Sequence, residues 1–504
     1  MQSRTSRAFL VCAVAVLALA YLHLLLLDVH FAPIDDHNLL VTTLAGKRFP
    51  LDIWPSQGRF DPLTGQELNL IALFAKGPAG YYAFNAVELL VLCLVLFDLV
   101  RAEGGTGRAL IALAILVLLP GFAVAWLRLQ VSERDSLTLF VLALWSYRRF
   151  ARLRSPIAFG AAVIAANLAL YCKETSFILI AVFAALRLLA QRARRVEETR
   201  ALDLLLLGSA ALYLALYALL IYPQWGAALY GAKPGSPLLR AVKYLGDYAT
   251  TDPIVVFLVF PLAVRRGIAV LRHGAAIEPW ADPLLLASAA YAASFLILGL
   301  HQPYYWLPAY AAALPALAAW SRRSELRGSR VWRVGSGLAA LLLVLGAIPD
   351  TLFQISSAKY VARNYDAMLG FLAGDIERRG DRSPARVTLD RIAADSELYA
   401  SLDRFLVHRG LPADRFELVP GARVSDYLIV TPSGGIDVDE AYLSAMGRDH
   451  RVAFGTRSEH AIPNFGIRIQ LKALVLRLFP SLAAAAGIDE QTSYGVDYYV
   501  LVPR

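Results

Sequence analysis

Long apolar runs broken by short polar turns fill the first two thirds of the chain. About 20 apolar residues cross the hydrocarbon of a bilayer, so these runs are expected to form about eleven membrane spans. They lie at roughly 8–28, 79–100, 108–127, 135–150, 156–172, 175–190, 202–222, 253–271, 283–300, 303–320 and 333–349. The fourth and sixth are short, which suits a tilted, re-entrant or incomplete span. The first inter-span stretch, about 29–78, carries Leu68-x-x-Ile71-Ala72-x-Phe74. That spacing is helical and fits a helix lying along the membrane surface.

From Asp350 the pattern changes. Lys359 to Arg379 is helix-compatible, and Arg386–Leu389, Tyr427–Val430 and Tyr498–Val502 read as strands. Residues 350–504 are therefore expected to form a small soluble α/β domain behind a polytopic α-helical membrane domain, 1–349. Leu471 to Phe479 is apolar but too short to span, and suits a position on the membrane surface.

Composition agrees with this division. The 504 residues are 58% hydrophobic and 18% charged, more apolar than a soluble protein of this size needs. The net charge of +9 does not point to nucleic acid, because residues 1–349 hold 31 Lys and Arg against 20 Asp and Glu, while 350–504 hold 18 against 20. The excess sits in short loops and sets topology. With the N-terminus cytoplasmic, the inner ends carry Arg148-Arg149-x-x-Arg152-x-Arg154, Arg192-x-Arg194-Arg195, Arg265-Arg266, and Arg322, Arg323, Arg327, Arg330 and Arg333. The outer side then receives the first loop, turns near 128–134 and 173–174, a loop at 223–252, the turn at His301-Gln302 and the C-terminal domain. The expected location is the plasma (inner) membrane, multi-pass, with an extracytoplasmic tail. Cys12, Cys93 and Cys172 all lie in apolar runs and imply no disulfide framework. Met1–Arg7 and the long run after it, with no small-x-small site before Asp28, read as a retained first span.

Ionisable residues recur at the outer ends of the spans. They are Asp35-Asp36 after the first, Glu133 and Asp135 before the fourth, Lys173-Glu174 between the fifth and sixth, and His301 before the tenth. Charges at a membrane level are costly unless they pair or face water, so they mark function. A carboxylate there can act as general base on an acceptor hydroxyl, and Lys173 can offset charge growing on a leaving phosphate. A second acidic pair can position the acceptor or hold a divalent metal through hard oxygen ligands, so metal dependence is left open. Zinc-ligand spacing, a Gly-rich phosphate loop and a nucleophile elbow are all lacking.

These features resemble the glycosyltransferase-C superfamily of membrane enzymes, which includes protein O-mannosyltransferases and the lipid A aminoarabinose transferase. The resemblance rests on Asp35-Asp36 opening a long outer loop, Glu133-Arg134-Asp135, Lys173-Glu174, and His301-x-x-Tyr304-Tyr305-x-Leu307-Pro308. It implies an inverting transfer from a polyprenyl-phosphate sugar to a glycan, lipid or protein acceptor on the outer face. Asp35 or Asp36 would be the base, with Asp35 favoured as nearer the membrane exit. Lys173, His301, Tyr304 and Tyr305 would face the lipid phosphate, and Glu133, Asp135 and Glu174 would be supporting acids. The chain lacks the His-Glu pattern and inserted domains of eukaryotic-type protein mannosyltransferases, which weighs against a protein acceptor. A surface-polysaccharide ligase or polymerase would use Arg and His in a large late outer loop, and a transporter would show broken helices in matching halves. A non-enzymatic scaffold has no need of charges at four outer turns. Reporter domains fused after Asp350 are expected to be active only outside the cytoplasm; cytoplasmic activity would remove the common level of the four charged sites.

Overall fold

The computed structural model describes all of the chain except residues 1–3, 195–198, 226–235, 324–328, 380–382, 422–424, 432–441, 444–445, 448 and 482–494. Arg195 and Arg327 of the basic inner clusters fall outside the described residues. Among the described residues, six helices are long and apolar enough to cross a membrane: Ala8–Leu26, Pro78–Gly104, Ser176–Ala193, Arg200–Gln224, Ala281–Leu298 and Arg330–Arg378. The number becomes eight if each of two sharply bent helix pairs is one span. The chain is a mostly helical, multi-pass membrane protein, and the expected count of about eleven spans is not reached by helix length and composition. The helices Pro156–Cys172 and Leu307–Trp320 are apolar but shorter. Ser132–Leu153 is continuous but starts with Ser-Glu-Arg-Asp-Ser and ends with Arg148, Arg149 and Arg152, which lowers its mean hydropathy.

Both bends have a local cause. The expected third span is two helices, Thr106–Val117 and Pro120–Leu127, meeting at 68°. Pro120 has no amide hydrogen to continue the first helix, and instead starts the second. The orphaned carbonyls at the break are satisfied from outside. Val117 O accepts from the Tyr21 hydroxyl at 2.8 Å, and Leu118 O from the Thr351 hydroxyl at 2.8 Å. The second bend, 108°, separates Pro237–Thr251 from Val255–His273. Asp252, just before Pro253, leaves the helical region with φ −131° and ψ 52°. The expected outer loop at 223–252 thus contains a helix, which buries Tyr244, Asp247 and Tyr248 on one face.

The last long helix runs without a stop from Arg330 to Arg378, through a π turn at Leu343–Ala347. The point where the apolar pattern ends, Asp350, lies inside it. Asp350 is buried but accepts a hydrogen bond from Asn464 Nδ2 at 3.0 Å and pairs with Arg468 at 3.6 Å. Its upper half becomes part of the tail, burying Met368, Leu369, Leu372 and Ile376. Beside it lies a five-stranded sheet, edge to edge Phe416–Leu418, Ala385–Leu389, Tyr427–Val430, Tyr499–Pro503 and His450–Gly455. The strands are β3 Ala385–Leu389, β4 Phe416–Leu418, β5 Tyr427–Val430, β6 His450–Gly455 and β7 Tyr499–Pro503; β1 Asp52–Trp54 and β2 Arg59–Asp61 form a separate hairpin in the first loop. β3 is parallel to β4 and β5, whereas β7 is antiparallel to β5 and β6. The three expected strands are β3, β5 and β7. β5 is buried at every position, as a strand covered on both faces should be.

The first loop is drawn onto the helices around it. Leu68 and Ile71 of its helix Gln66–Ile71 are buried, while Phe74 is exposed. Lys359 Nζ donates to the carbonyls of Leu24, Leu27 and Asp28 at 3.0, 2.9 and 2.6 Å, capping the end of the first span. At Gly121 a Cβ would stand 2.1 Å from the carbonyl oxygen of Pro303, so Pro120–Leu127 and the turn before Leu307 meet backbone to backbone. Gly121→Ala should therefore destabilise the fold by about 1–3 kcal/mol, since no rotamer can relieve the clash. Gly208→Ala, in open space, should be neutral or mildly stabilising. Thermal unfolding in detergent compares the two, and equal behaviour would contradict the close approach.

Candidate functional site

Asp35 stands at φ 70°, in the left-handed region that Asp tolerates better than most residues. The conformation is pinned on its carbonyl, which accepts from Gln130 Nε2 at 2.8 Å and from the Asn38 amide at 2.9 Å. Its carboxylate accepts from Arg128 Nη2, and each of these two side chains is 34% exposed. Asp36 is only 1% exposed and accepts from the Ala32 amide at 2.8 Å. The adjacent acids therefore occupy different environments. Beside Asp35 opens a cavity of about 410 Å³, between the first loop, the end of Pro120–Leu127 and the last long helix. Ile34, Val124, Arg128, Gln354, Ser357 and Val361 are among its walls, so Arg128 lines the cavity and holds Asp35 at once.

Arg128 is aimed by the turn that follows Leu127. Tyr82 donates to Leu127 O at 3.2 Å, and Asn85 donates to Trp126 O at 3.0 Å and Arg128 O at 3.3 Å. Arg134, 1% exposed, donates to the carbonyls of Ala125, Arg128 and Leu129 at 3.4, 3.1 and 3.3 Å. Its charge is matched by Glu88 at 2.8 Å and Asp135 at 3.1 Å. Asp135 is thereby engaged within its own helix turn.

A second charged set lies at the turn after Cys172. Lys173 Nζ is 2.9 Å from Glu133 Oε1, 3.8 Å from Glu174 Oε2, and 5.3 Å from the Tyr305 ring centroid. Arg59 from β2 reaches Glu174 at 3.2 Å, Asp61 at 2.6 Å and Asp52 at 3.2 Å. The Thr64 hydroxyl donates to Cys172 O at 2.6 Å, fastening the hairpin to the turn. Burial disfavours the Lys173 ammonium, but Glu133 and Glu174 outweigh it and hold its pKa well above the ordinary value. Burial, reinforced by Glu174, raises that of Asp61.

His301 sits apart from both sets. Its ring stacks on Tyr244 at 5.5 Å and tilts against Tyr248 at 4.7 Å. Burial pushes it down to about 4, so it is neutral at physiological pH. Tyr304 meets the Tyr305 ring edge to face at 5.3 Å, and Tyr305 stacks on Phe295 at 5.0 Å. The structure thus joins Asp35 to Arg128, and Lys173 to Glu133, Glu174 and Tyr305. Sequence reasoning missed Arg128, Arg59 and Asp61. Arg128 lay in the outer turn already marked by Glu133, and Arg59-Phe60-Asp61 was a charged pair with no motif around it. Among the described residues no group of three or more His, Cys, Asp or Glu is placed to hold a metal ion.

Neither a protein-family model nor a curated protein matches the chain. Among solved structures it is similar to ArnT from Cupriavidus metallidurans bound to undecaprenyl phosphate, with 13% identity, a TM-score of 0.46, and coverage of 88% of this chain and 96% of that one. It is also similar to the Archaeoglobus fulgidus oligosaccharyltransferase in complex with Zn and sulfate, with 13% identity, a TM-score of 0.45, and coverage of 84% and 68%. The same enzyme tethered with an acceptor peptide gives 12% identity, a TM-score of 0.47, and coverage of 98% and 88%. All three likenesses are distant.

The unequal acids make a pH prediction. Burial pushes Asp36 from 3.8 up to about 7 against the Ala32 amide, and Asp35 adds to the rise. The fold therefore favours the protonated acid. Its contribution is full below about pH 4 and is lost as pH rises through about 7, a change on the order of a few kcal/mol. Asp36→Asn stays neutral and should flatten that loss, so its advantage over the parent should grow between about pH 4 and 8. Parallel pH-dependent curves in thermal melts would contradict a buried, proton-holding Asp36.

Proposed function

We propose that the chain is a membrane glycosyltransferase that moves a sugar from a polyprenyl-phosphate donor to an acceptor on the outer face, with inversion and with Asp35 as general base. One observation carries this reading: a partly exposed carboxylate is held by an arginine that itself lines the cavity beside it. The resemblance of the outer-turn residues to the glycosyltransferase-C superfamily supports it. Asp36 is nearly inaccessible, which favours Asp35 over its neighbour for contact with an acceptor.

In the proposed step, Asp35 takes the proton of an acceptor hydroxyl as that oxygen attacks the anomeric carbon. The carbon–oxygen bond to the lipid phosphate breaks, and the phosphate leaves with the electron pair. Arg128 is suited to receive the charge that grows there, because a guanidinium presents several donors to phosphate oxygens. A phosphate competing for Arg128 would loosen its hold on Asp35 and free the base as the donor seats. Tyr304, edge to face with Tyr305, belongs with it to the phosphate side. Lys173 belongs to the phosphate side as a buried cation whose charge Glu133 and Glu174 offset, with Tyr305 under its ammonium. His301 enters as a neutral group, and Asp135 supports the turn through Arg134. The acceptor is a glycan, lipid or protein. The proposed location is the inner membrane, with the N-terminus cytoplasmic and the tail outside.

Asp35→Asn keeps size and tolerates the left-handed backbone, but cannot accept the proton. It should lower transfer from a polyprenyl-phosphate sugar by about 10²–10⁴ and leave donor binding nearly unchanged. Arg128→Met should weaken donor binding as well. Near-normal transfer by Asp35→Asn would move the base elsewhere, with Glu133 and Asp135 next in line.

A further inference from the structure

The tail helix Ile467–Leu478 has no buried residue. The other long tail helix, Glu397–His408, behaves as a globular helix should and buries Leu398, Leu402 and Phe405. On Ile467–Leu478 three leucines are turned outward: Leu471, Leu474 and Leu478 are 46%, 51% and 56% exposed. Their spacing puts them on one helix face, and Phe465 and Phe479 extend the exposure at both ends. The same helix carries Arg468, Lys472 and Arg477 and no carboxylate.

Its place in the fold is fixed at the end of a membrane-crossing segment. Ile467 lies against Gly346, and Arg468 and Asn464 hold Asp350, where the apolar stretch of the last long helix ends. Lys472 lies 3.8 Å from Asp247 of Pro237–Thr251. That neighbouring helix also turns an apolar stripe outward, with Leu238, Val242 and Leu245 exposed. Among the described residues, the carboxylates that pair with the tail helix, Asp247 and Asp350, are thus matched by its own cations. The outward surface is left apolar and positive at the level where the last span meets water.

We infer that Ile467–Leu478, with the stripe of Pro237–Thr251 beside it, is a membrane-surface seat for the tail. Leu471, Leu474 and Leu478 lie among acyl chains at the headgroup boundary, and Arg477 contacts anionic phospholipid headgroups of the leaflet on the tail's side. A helix that is apolar on one face and cationic on its flanks binds in this way through buried apolar area and attraction to anionic lipid. Continuity with the spanning helix favours lipid over a protein partner, since the seat begins where the bilayer ends. The inference rests on the multi-pass fold and not on sugar transfer.

The test uses the full chain in vesicles of phosphatidylcholine and phosphatidylglycerol. A fluorescent amino acid is placed at position 474 or, as control, at position 452, where Val452 is exposed on edge strand β6. Nitroxide lipids should quench the probe at 474 more than aqueous iodide does, with the reverse at 452. Spin-labelled phosphatidylglycerol should quench at 474 better than spin-labelled phosphatidylcholine. Arg477→Gln should reduce that preference by about fivefold, the worth of one surface charge. Iodide reaching 474 as freely as 452 would overturn the seat, as would a protein partner covering it. Equal quenching by the two lipids, or a preference that survives Arg477→Gln, would overturn the headgroup contact.

Discussion

A guanidinium sealed inside a membrane protein must find both counter-charge and acceptors, and Arg134 does so completely. Glu88 and Asp135 balance it, and three carbonyls of the segment after Pro120 take its remaining hydrogens. Removing one side of such an arrangement typically costs about 3–5 kcal/mol, because the partner is left charged and buried. The consequence reaches beyond stability. The carbonyls that Arg134 gathers belong to the turn that carries Arg128, and Arg128 is what holds Asp35. The buried pair therefore sets the geometry of the exposed one. Tyr82 and Asn85 reach the same turn from Pro78–Gly104, so the candidate site is braced from two helices before any ligand arrives.

Much of this was legible in the sequence for a physical reason: a charge beside a long apolar run is costly and stands out. Asp35, Glu133, Lys173 and Glu174 were visible on that ground, and the structure shows Lys173 in contact with both glutamates. Their partners were harder to see. Arg128 sits in a short turn where an arginine looks like ordinary topology, and Arg59 and Asp61 lie in a hairpin whose three-residue strands are too short to show an alternating pattern. Hydropathy also carries no direction. It counts Thr106–Val117 and Pro120–Leu127 as one run, although Pro120 turns the chain by 68° between them. Nor does it end a helix: at Asp350 the apolar run stops while the helix continues to Arg378. Pro237–Thr251 was hidden because three of its five buried residues are Asp247, Thr250 and Thr251.

The tail and the helical domain share elements instead of meeting through a linker. The last long helix supplies one wall of the cavity through Gln354, Ser357 and Val361, then packs under the sheet at Met368 and Leu372. Lys359, within the first of those stretches, caps the first span from the same helix. Arg404 of the tail donates to Asn38 Oδ1 at 2.7 Å, three residues beyond Asp35. A movement of the tail would be felt at the first loop, and a tail seated on the membrane surface would steady both.

The most direct measurement is a structure of the full chain with a polyprenyl phosphate bound. The account predicts the phosphate against the Arg128 guanidinium at the mouth of the cavity, with the Asp35 carboxylate released toward that space and Lys173 still held by Glu133 and Glu174. A phosphate seated on Lys173 after displacing those two acids, with Arg128 still paired to Asp35, would contradict it.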